Sequence, residues 1–337
     1  MVASKNYGQY LILIDFELNK VLYQQQNDNL SYLSIVIPTY NRIDNLKSLL
    51  THISSENNLD FVEIIILDNY SNSILPDQFF LDLFKDKKIS YYQNKFHLGP
   101  DANYLKAIEL ANCMWVYPIG DSKIPKKGFV DMILNDIKLH KDSFGIVYKY
   151  ASNLKNDLTF SHIKYFNDKK IHLGDFFLGG NSIISRKSIN LYLNIAGQVT
   201  LSRMPHATFH LMPILNFQSI TLKKDSIIEL FLEKPSNYDP KLSFFECLSQ
   251  FSLIDVITNN WAARKIINKK IFEIYGENWR FIYHSLIFTF KKKIDISSNI
   301  HRILKFRFIH GYGYLNLIVA LLLYYFIKFL KLIRYVK

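Results

Sequence analysis

Two short apolar runs constrain this chain more than anything else in it: Leu-Ser-Ile-Val-Ile-Pro at 33–38 and Val-Glu-Ile-Ile-Ile-Leu at 62–67. Both are rich in β-branched residues and lack clean alternation, as strands buried on both faces do. Between them Ile43, Leu46, Leu49, Leu50 and Ile53 recur at helical spacing, with Asn41 suited to the N-cap. A parallel strand–helix–strand unit is almost always right-handed. The carboxyl ends of both strands, at 39–41 and 68–71, therefore face one sheet edge, where open α/β folds bind their ligands.

A third run, Trp-Val-Tyr-Pro-Ile-Gly at 115–120, delivers Asp121 to the same edge. Pro118 cannot donate to a central ladder, so a strand end or bulge is expected there. Residues 76–88 read as a short helix, 89–93 as an edge strand, and Asp101 as the cap of a helix to about Asn112. Phe129, Met132, Ile133 and Ile137 mark another helix, and 144–150 another strand. Before residue 33 the pattern is weak: 10–16 could form a strand and 24–29 a polar linker.

Composition narrows the class. With 49% hydrophobic and 21% charged residues over 337 positions, the chain is globular and able to bury a core. Two distant cysteines, Cys113 and Cys247, suggest neither a disulfide framework nor a zinc site, which suits a reducing compartment. No secretory signal is read at the start. The net charge of +12 lies after position 260, where 15 Lys and Arg face 3 Asp and Glu; the other 26 of each sign cancel. That region also holds an uncharged run at 315–327, shorter than the ~20 residues a membrane span needs. An apolar run with a basic flank fits an amphipathic helix on an anionic membrane surface better than a nucleic-acid site.

Four motifs carry a resemblance: Ser-Ile-Val-Ile-Pro-Thr-Tyr-Asn-Arg (34–42), Glu-Ile-Ile-Ile-Leu-Asp-Asn-Tyr-Ser (63–71), His-Leu-Gly-Pro-Asp-Ala-Asn (97–103) and Trp-Val-Tyr-Pro-Ile-Gly-Asp-Ser-Lys (115–123). In this order and spacing they resemble the family 2 glycosyltransferases, in particular the abequosyltransferase-like enzymes of bacterial surface-polysaccharide assembly. The resemblance implies an α/β GT-A fold, a mixed but mostly parallel sheet flanked by helices, followed by a mainly helical C-terminal region. The resemblance covers roughly residues 33–150, and the chain is divided into an N-terminal extension (1–32), a nucleotide-sugar half (33–150), an acceptor half (151–260) and, from its charge and apolar pattern, a basic apolar region (261–337). It also implies transfer of a sugar, with inversion, from a nucleotide-sugar donor to a lipid-linked glycan acceptor on the cytoplasmic face of the cell membrane. The alternative class is a non-catalytic module that binds sugar nucleotide or scaffolds an assembly complex.

The same resemblance assigns residues. Pro38, Thr39, Tyr40 and Arg42 would line the nucleotide pocket, and Asp68 would bind base or ribose, with Asn69 shaping its turn. Gly99, Asp101 and Asn103 would lie beside the ribose and diphosphate. Gly120, Asp121 and Lys123 would form the diphosphate end, with Asp121 the ligand of a divalent cation, Mg²⁺ or Mn²⁺. Two departures stand out: Ser122 and Lys123 replace the further carboxylates of the family's acidic motif, and His97 replaces an asparagine. Asp121 holding the cation alone, Lys123 neutralising the diphosphate, or loss of activity each answer the first departure. For the general base that an inverting transfer needs, the window 200–220 offers no Asp or Glu but holds His206 and His210; His206 is the first candidate and Asp175 the second, with Asp225 and Asp239 beyond the window. The glycines Gly179 and Gly180 mark the start of the acceptor side.

Overall fold

The computed structural model describes residues 20–25, 31–168, 170–200, 204–232, 253 and 256–275. In chain order its strands are β1 Lys20–Gln25, β2 Leu33–Thr39, β3 Val62–Asp68, β4 Lys88–Gln93, β5 Trp115–Pro118, β6 Lys123–Pro125, β7 Gly145–Tyr148, β8 Leu158–Phe160, β9 Ser182–Ser185, β10 Ile220–Lys223 and β11 Ile228–Phe231. The helices are α1 Ile43–Ser54, α2 Asp77–Leu83, α3 Pro100–Leu110, α4 Phe129–Leu139, α5 Gly174–Phe177, α6 Arg186–Gln198, α7 Thr208–Leu215 and α8 Trp261–Tyr275.

Nine strands form one sheet in the order β1-β4-β3-β2-β5-β9-β7-β10-β8. β4, β3, β2 and β5 are parallel, β9 runs antiparallel between β5 and β7, and β10 is parallel to β7. The antiparallel strands β1 and β8 flank this array. The two halves of the chain therefore share one sheet.

Along β2 the side chains alternate between two cores, as the strand period of two requires. Leu33, Ile35 and Ile37 pack on one face with Leu46, Leu49, Leu50 and Ile53 of α1, Phe80 of α2 and Phe129 of α4. Val36 packs on the other with Ile108 of α3, Ile189 of α6 and Leu211 of α7. The result is a three-layer α/β/α arrangement, the mostly parallel sheet that the pattern of apolar runs predicts.

Several details differ from the sequence-based reading. β4 is not an edge strand, because β1 pairs with it on the outside. The cap of α1 is Arg42, not Asn41; Asn41 adopts a positive φ of 51° and clasps the next loop, its N–H donating to Ser71 Oγ and its Oδ1 accepting from Asn72. α3 starts at Pro100 behind Gly99, whose φ is +85°, so Asp101 lies inside the first turn instead of capping it. β5 does stop at Pro118. The segment 10–16, Asp239 and the basic end beyond 275 lie outside the described residues, and the expected membrane-surface helix with them. Among the described residues no helix is long and apolar enough to cross a membrane.

Ile66 is fully buried in β3, between β2 and β4. Ile66→Ala should lower the unfolding free energy by about 2–5 kcal/mol through lost apolar contact and an unfilled cavity, measured by chemical denaturation.

Candidate functional site

Register decides what meets at the sheet edge. Thr39 is paired with Asp68, and Val36 with Pro118. Past Pro118 the chain stays on β2 through a hydrogen bond from Ile119 N–H to the Val36 carbonyl. Gly120 follows, and Asp121 then arrives beside the loop that leaves β2. Its side chain is only 5% exposed. Thr39 Oγ1 donates to Oδ2 at 2.7 Å, and Arg42 Nη1 lies 3.3 Å from Oδ1. The Arg42 side chain is 46% exposed, so one end of the ion pair is held inside and the other faces solvent.

Two residues on, Lys123 turns the other way. Its ammonium donates to the Gly179 carbonyl, and burial lowers its pKa to about 8. The glycine pair makes room for it: Gly180 has φ +87°, and a Cβ there would stand 3.1 Å from Lys123 Cδ. Tyr117 OH donates to the Gly180 carbonyl at 2.8 Å. The segment is also strapped from outside, because β6 pairs with β11 and Leu232 N–H donates to the Ser122 carbonyl.

A polar network lies behind this edge. Asn69 Oδ1 accepts from Leu98 N–H and Asn94 Nδ2, while its Nδ2 donates to the Gly99 carbonyl. Asn94 also donates to Asn103 Oδ1, and Asn103 Nδ2 to the Leu67 carbonyl. Asn69, Gly99 and Asn103 thus brace the loop before α3, and Asp101 is half-buried in the helix's first turn. Asp68 is buried, with Ser71 N–H donating to Oδ1, and Tyr91 OH and Gln93 Nε2 to Oδ2. These bonds let the carboxylate hold the turn after β3. In front of the network the rings of Tyr40 and His97 meet at 4.4 Å, both exposed. Pro38 belongs to β2 itself.

The two base candidates are placed differently from the sequence expectation. Asp175 is fully buried and accepts from the backbone N–H groups of Tyr150, Ala151 and Ser152. It clamps that loop. His206 lies in a single 3₁₀ turn before α7, so it and His210 do not share one helix. His206 Nε2 is 2.9 Å from the Phe177 carbonyl, and the ring packs against Tyr104 at 5.4 Å. Burial, reinforced by Lys123 and opposed by the Phe177 bond, lowers its pKa to about 4. That makes it a weak base. His210 is lowered to about 3 by burial and by His206; its Nε2 contacts Ser182 Oγ, while its buried Nδ1 has no hydrogen-bond partner.

The structure therefore joins Thr39, Arg42 and Asp121 directly, and links Lys123 to the neighbourhood of His206 through Gly179. The Arg42–Asp121 pair spans 79 positions and the Lys123–Gly179 contact 56, so no local pattern announces either. The available signals were weak ones, a basic residue at a helix start and a glycine pair.

A mostly parallel sheet of this order, with a strand-end carboxylate at its centre, is a GT-A fold. Residues 34–193 match the model of glycosyl transferase family 2. Over 126 residues the chain is 33% identical to abequosyltransferase RfbV of Salmonella typhimurium, an alignment spanning 36% of this chain and 33% of that protein. The chain thus matches about a third of that relative's length. Among solved structures, S. aureus TarS 1-349 in complex with UDP-GlcNAc aligns over 83% of this chain and 81% of its own with a TM-score of 0.55 and 15% identity. Mannosyltransferase PcManGT from Pyrobaculum calidifontis, in complex with GDP-Man and Mn²⁺, aligns over 90% of both chains with a TM-score of 0.52 and 11% identity.

Among the described residues no group of three or more His, Cys, Asp or Glu side chains is arranged to hold a metal. At the acidic motif Asp121 is the one carboxylate, both its oxygens are engaged, and an ammonium follows two residues later. These residues do not fit a cation held by protein carboxylates.

The buried histidines imply acid sensitivity. Both hold a proton less readily than an unfolded histidine, whose pKa is near 6.5. Their contribution is complete above about pH 6.5 and is lost as pH falls toward 4, because the unfolded state binds more protons in that window. The thermal midpoint should drop between pH 7 and 4.5. His210→Gln, which can keep the bond to Ser182 without titrating, should reduce the slope of stability against pH by up to about 1.4 kcal/mol per unit.

Proposed function

We propose that this chain is a glycosyltransferase that moves a sugar from a nucleotide-sugar donor to a glycan acceptor in bacterial surface-polysaccharide assembly, with inversion at the transferred carbon. One observation carries the reading: within the stretch that matches family 2, the Asp121 carboxylate is tied to Thr39 and Arg42 at the carboxyl ends of adjacent parallel strands. The similarity to an abequosyltransferase supports the substrate class. So do the fold neighbours, one solved with UDP-GlcNAc and one with GDP-Man.

In this reading the Tyr40 and His97 rings, tilted 57° to one another and already in contact, pack against the base at little entropic cost. Asn69, Gly99 and Asn103 keep the ribose side in shape, and Thr39, Arg42, Gly120, Asp121 and Lys123 form the diphosphate end. The acceptor, a lipid-linked glycan, approaches from the side of Gly179, with the protein on the cytoplasmic membrane surface. A donor-binding module without turnover is the second reading, favoured by Ser122 and Lys123 in place of carboxylates.

The two readings separate in one experiment. The full chain is incubated with a panel of sugar nucleotides and a lipid-linked glycan extract, and release of nucleoside diphosphate is followed. Turnover of at least one donor is expected, falling at least 100-fold (about 2.7 kcal/mol of barrier) in Asp121→Ala. No release from any donor, with nucleotide still bound, would leave the binding module.

A further inference from the structure

An aromatic side chain gains by burial, yet Phe217 is 72% exposed, in the turn between α7 and β10, with φ at 59°. A bulky residue is strained in that backbone region, and burial here returns little of the cost. Its ring lies 5.4 Å from that of His162. His162 caps the 3₁₀ turn Ile163–Asn167, which displays Lys164 and Tyr165 to solvent. Strain and exposure together mark a surface kept for a partner.

The same turn seats α8. Ala263 and Ile267 join Ile163 and Phe166 in one core, and the buried Lys270 ammonium donates to the carbonyls of Asp168 and Ile171. Positions 263, 267 and 270 form the inner face of the helix, while Trp261, Lys265 and Lys269, spaced by four, form the outer one. Trp261 is 59% exposed, with Lys265 Nζ 5.2 Å from its ring centroid. Past α8 the chain continues into residues 276–337, where 11 Lys and Arg face 2 Asp and Glu.

Exposed rings interleaved with lysines complement a surface that is negative outside and apolar beneath. Resting on the membrane placement in the reading above, we propose that this face at the β8 end of the sheet, made by Phe217, Lys164, Tyr165, Trp261, Lys265 and Lys269, lies on a bilayer containing anionic lipid. The rings enter the headgroup layer and the ammonium groups meet lipid phosphates. Anchoring by a single weak signal is transient, so a folded face beside the basic chain after 275 supplies the second. β8 and its turn belong to the acceptor half, whereas β2 stands five strand spacings away, roughly 24 Å. The acceptor half thus rides on the lipid while the donor edge stays open to water.

The test sediments the full chain with vesicles of phosphatidylcholine alone, or of equal parts phosphatidylcholine and phosphatidylglycerol. The anionic vesicles should be bound at least about tenfold more tightly. Phe217→Gly, Trp261→Ser and the triple exchange Lys164→Glu, Lys265→Glu, Lys269→Glu should each weaken that binding about fivefold or more. Phe217→Gly relieves the strained backbone, so the thermal midpoint should hold or rise while vesicle binding falls, the opposite of a structural role. A control triple, Lys47→Glu, Lys85→Glu, Lys138→Glu, alters the charge equally at exposed sites around α1, α2 and α4 and should stay within about twofold of wild type. Face variants that bind like wild type, or a control triple that loses as much as the face triple, would overturn the proposal and leave the membrane placement to the residues after 275. A wild type with no preference for the anionic vesicles would overturn both, and donor turnover is read separately. Sedimentation velocity without lipid decides the competing occupant: a wild-type dimer that Phe217→Gly or Trp261→Ser turns into a monomer would assign the face to a second copy and overturn the proposal.

Discussion

The parallel pairing of β2 with β3 on one side and β5 on the other is the constraint on which the site depends. It brings residues 39, 68 and 121, from three separate stretches, to one edge. Because side chains alternate along a strand, a slip of one residue would send Ile35 and Ile37 to the opposite core and carry the strand ends out of step. Two-sided burial of β2 resists that slip. The hydrogen bond of Thr39 to Asp121 thus depends on the packing of buried apolar strand that brings the two side chains together.

Behind the edge, the polar residues divide into those that build loops and those that face outward. Asp68, Asn69, Asn94, Asn103 and Asp175 satisfy backbone and side-chain partners inside the protein. Arg42, Tyr40 and His97 present themselves to solvent. Buried polar groups must be matched with partners or they destabilise the fold. A residue type that can bind a ligand is therefore often committed to shaping the loop that does.

That division explains how much of the molecule could be read from its sequence. The layers of the first half follow from apolar period and from turn residues: β2, α1, β3 and α4 stand close to where their patterns put them. Local signals also served at Pro118. They failed where an outcome depends on distant partners. β1 covering β4 and β11 covering β6 are pairings that no short window contains. Asn41 and Asp101 have the chemistry of caps, yet a left-handed backbone at one and a glycine–proline start at the other moved the helix ends. For the site, the strand-end positions were legible, while the fates of Asp68, Asp175 and His206 were not, since exposure and bonding partners are set by tertiary packing.

The strap formed by β11 gives the Asp121 segment an unusual mechanical address. Residues 121–125 are joined to the main sheet through Asp121 and its neighbours, and to residues 228–232 through backbone bonds. The Asp121 carboxylate is thereby mounted at the end of a small two-stranded ribbon. Exchanges in β11, remote in sequence and touching no ligand, would be transmitted to the site as a change of aim.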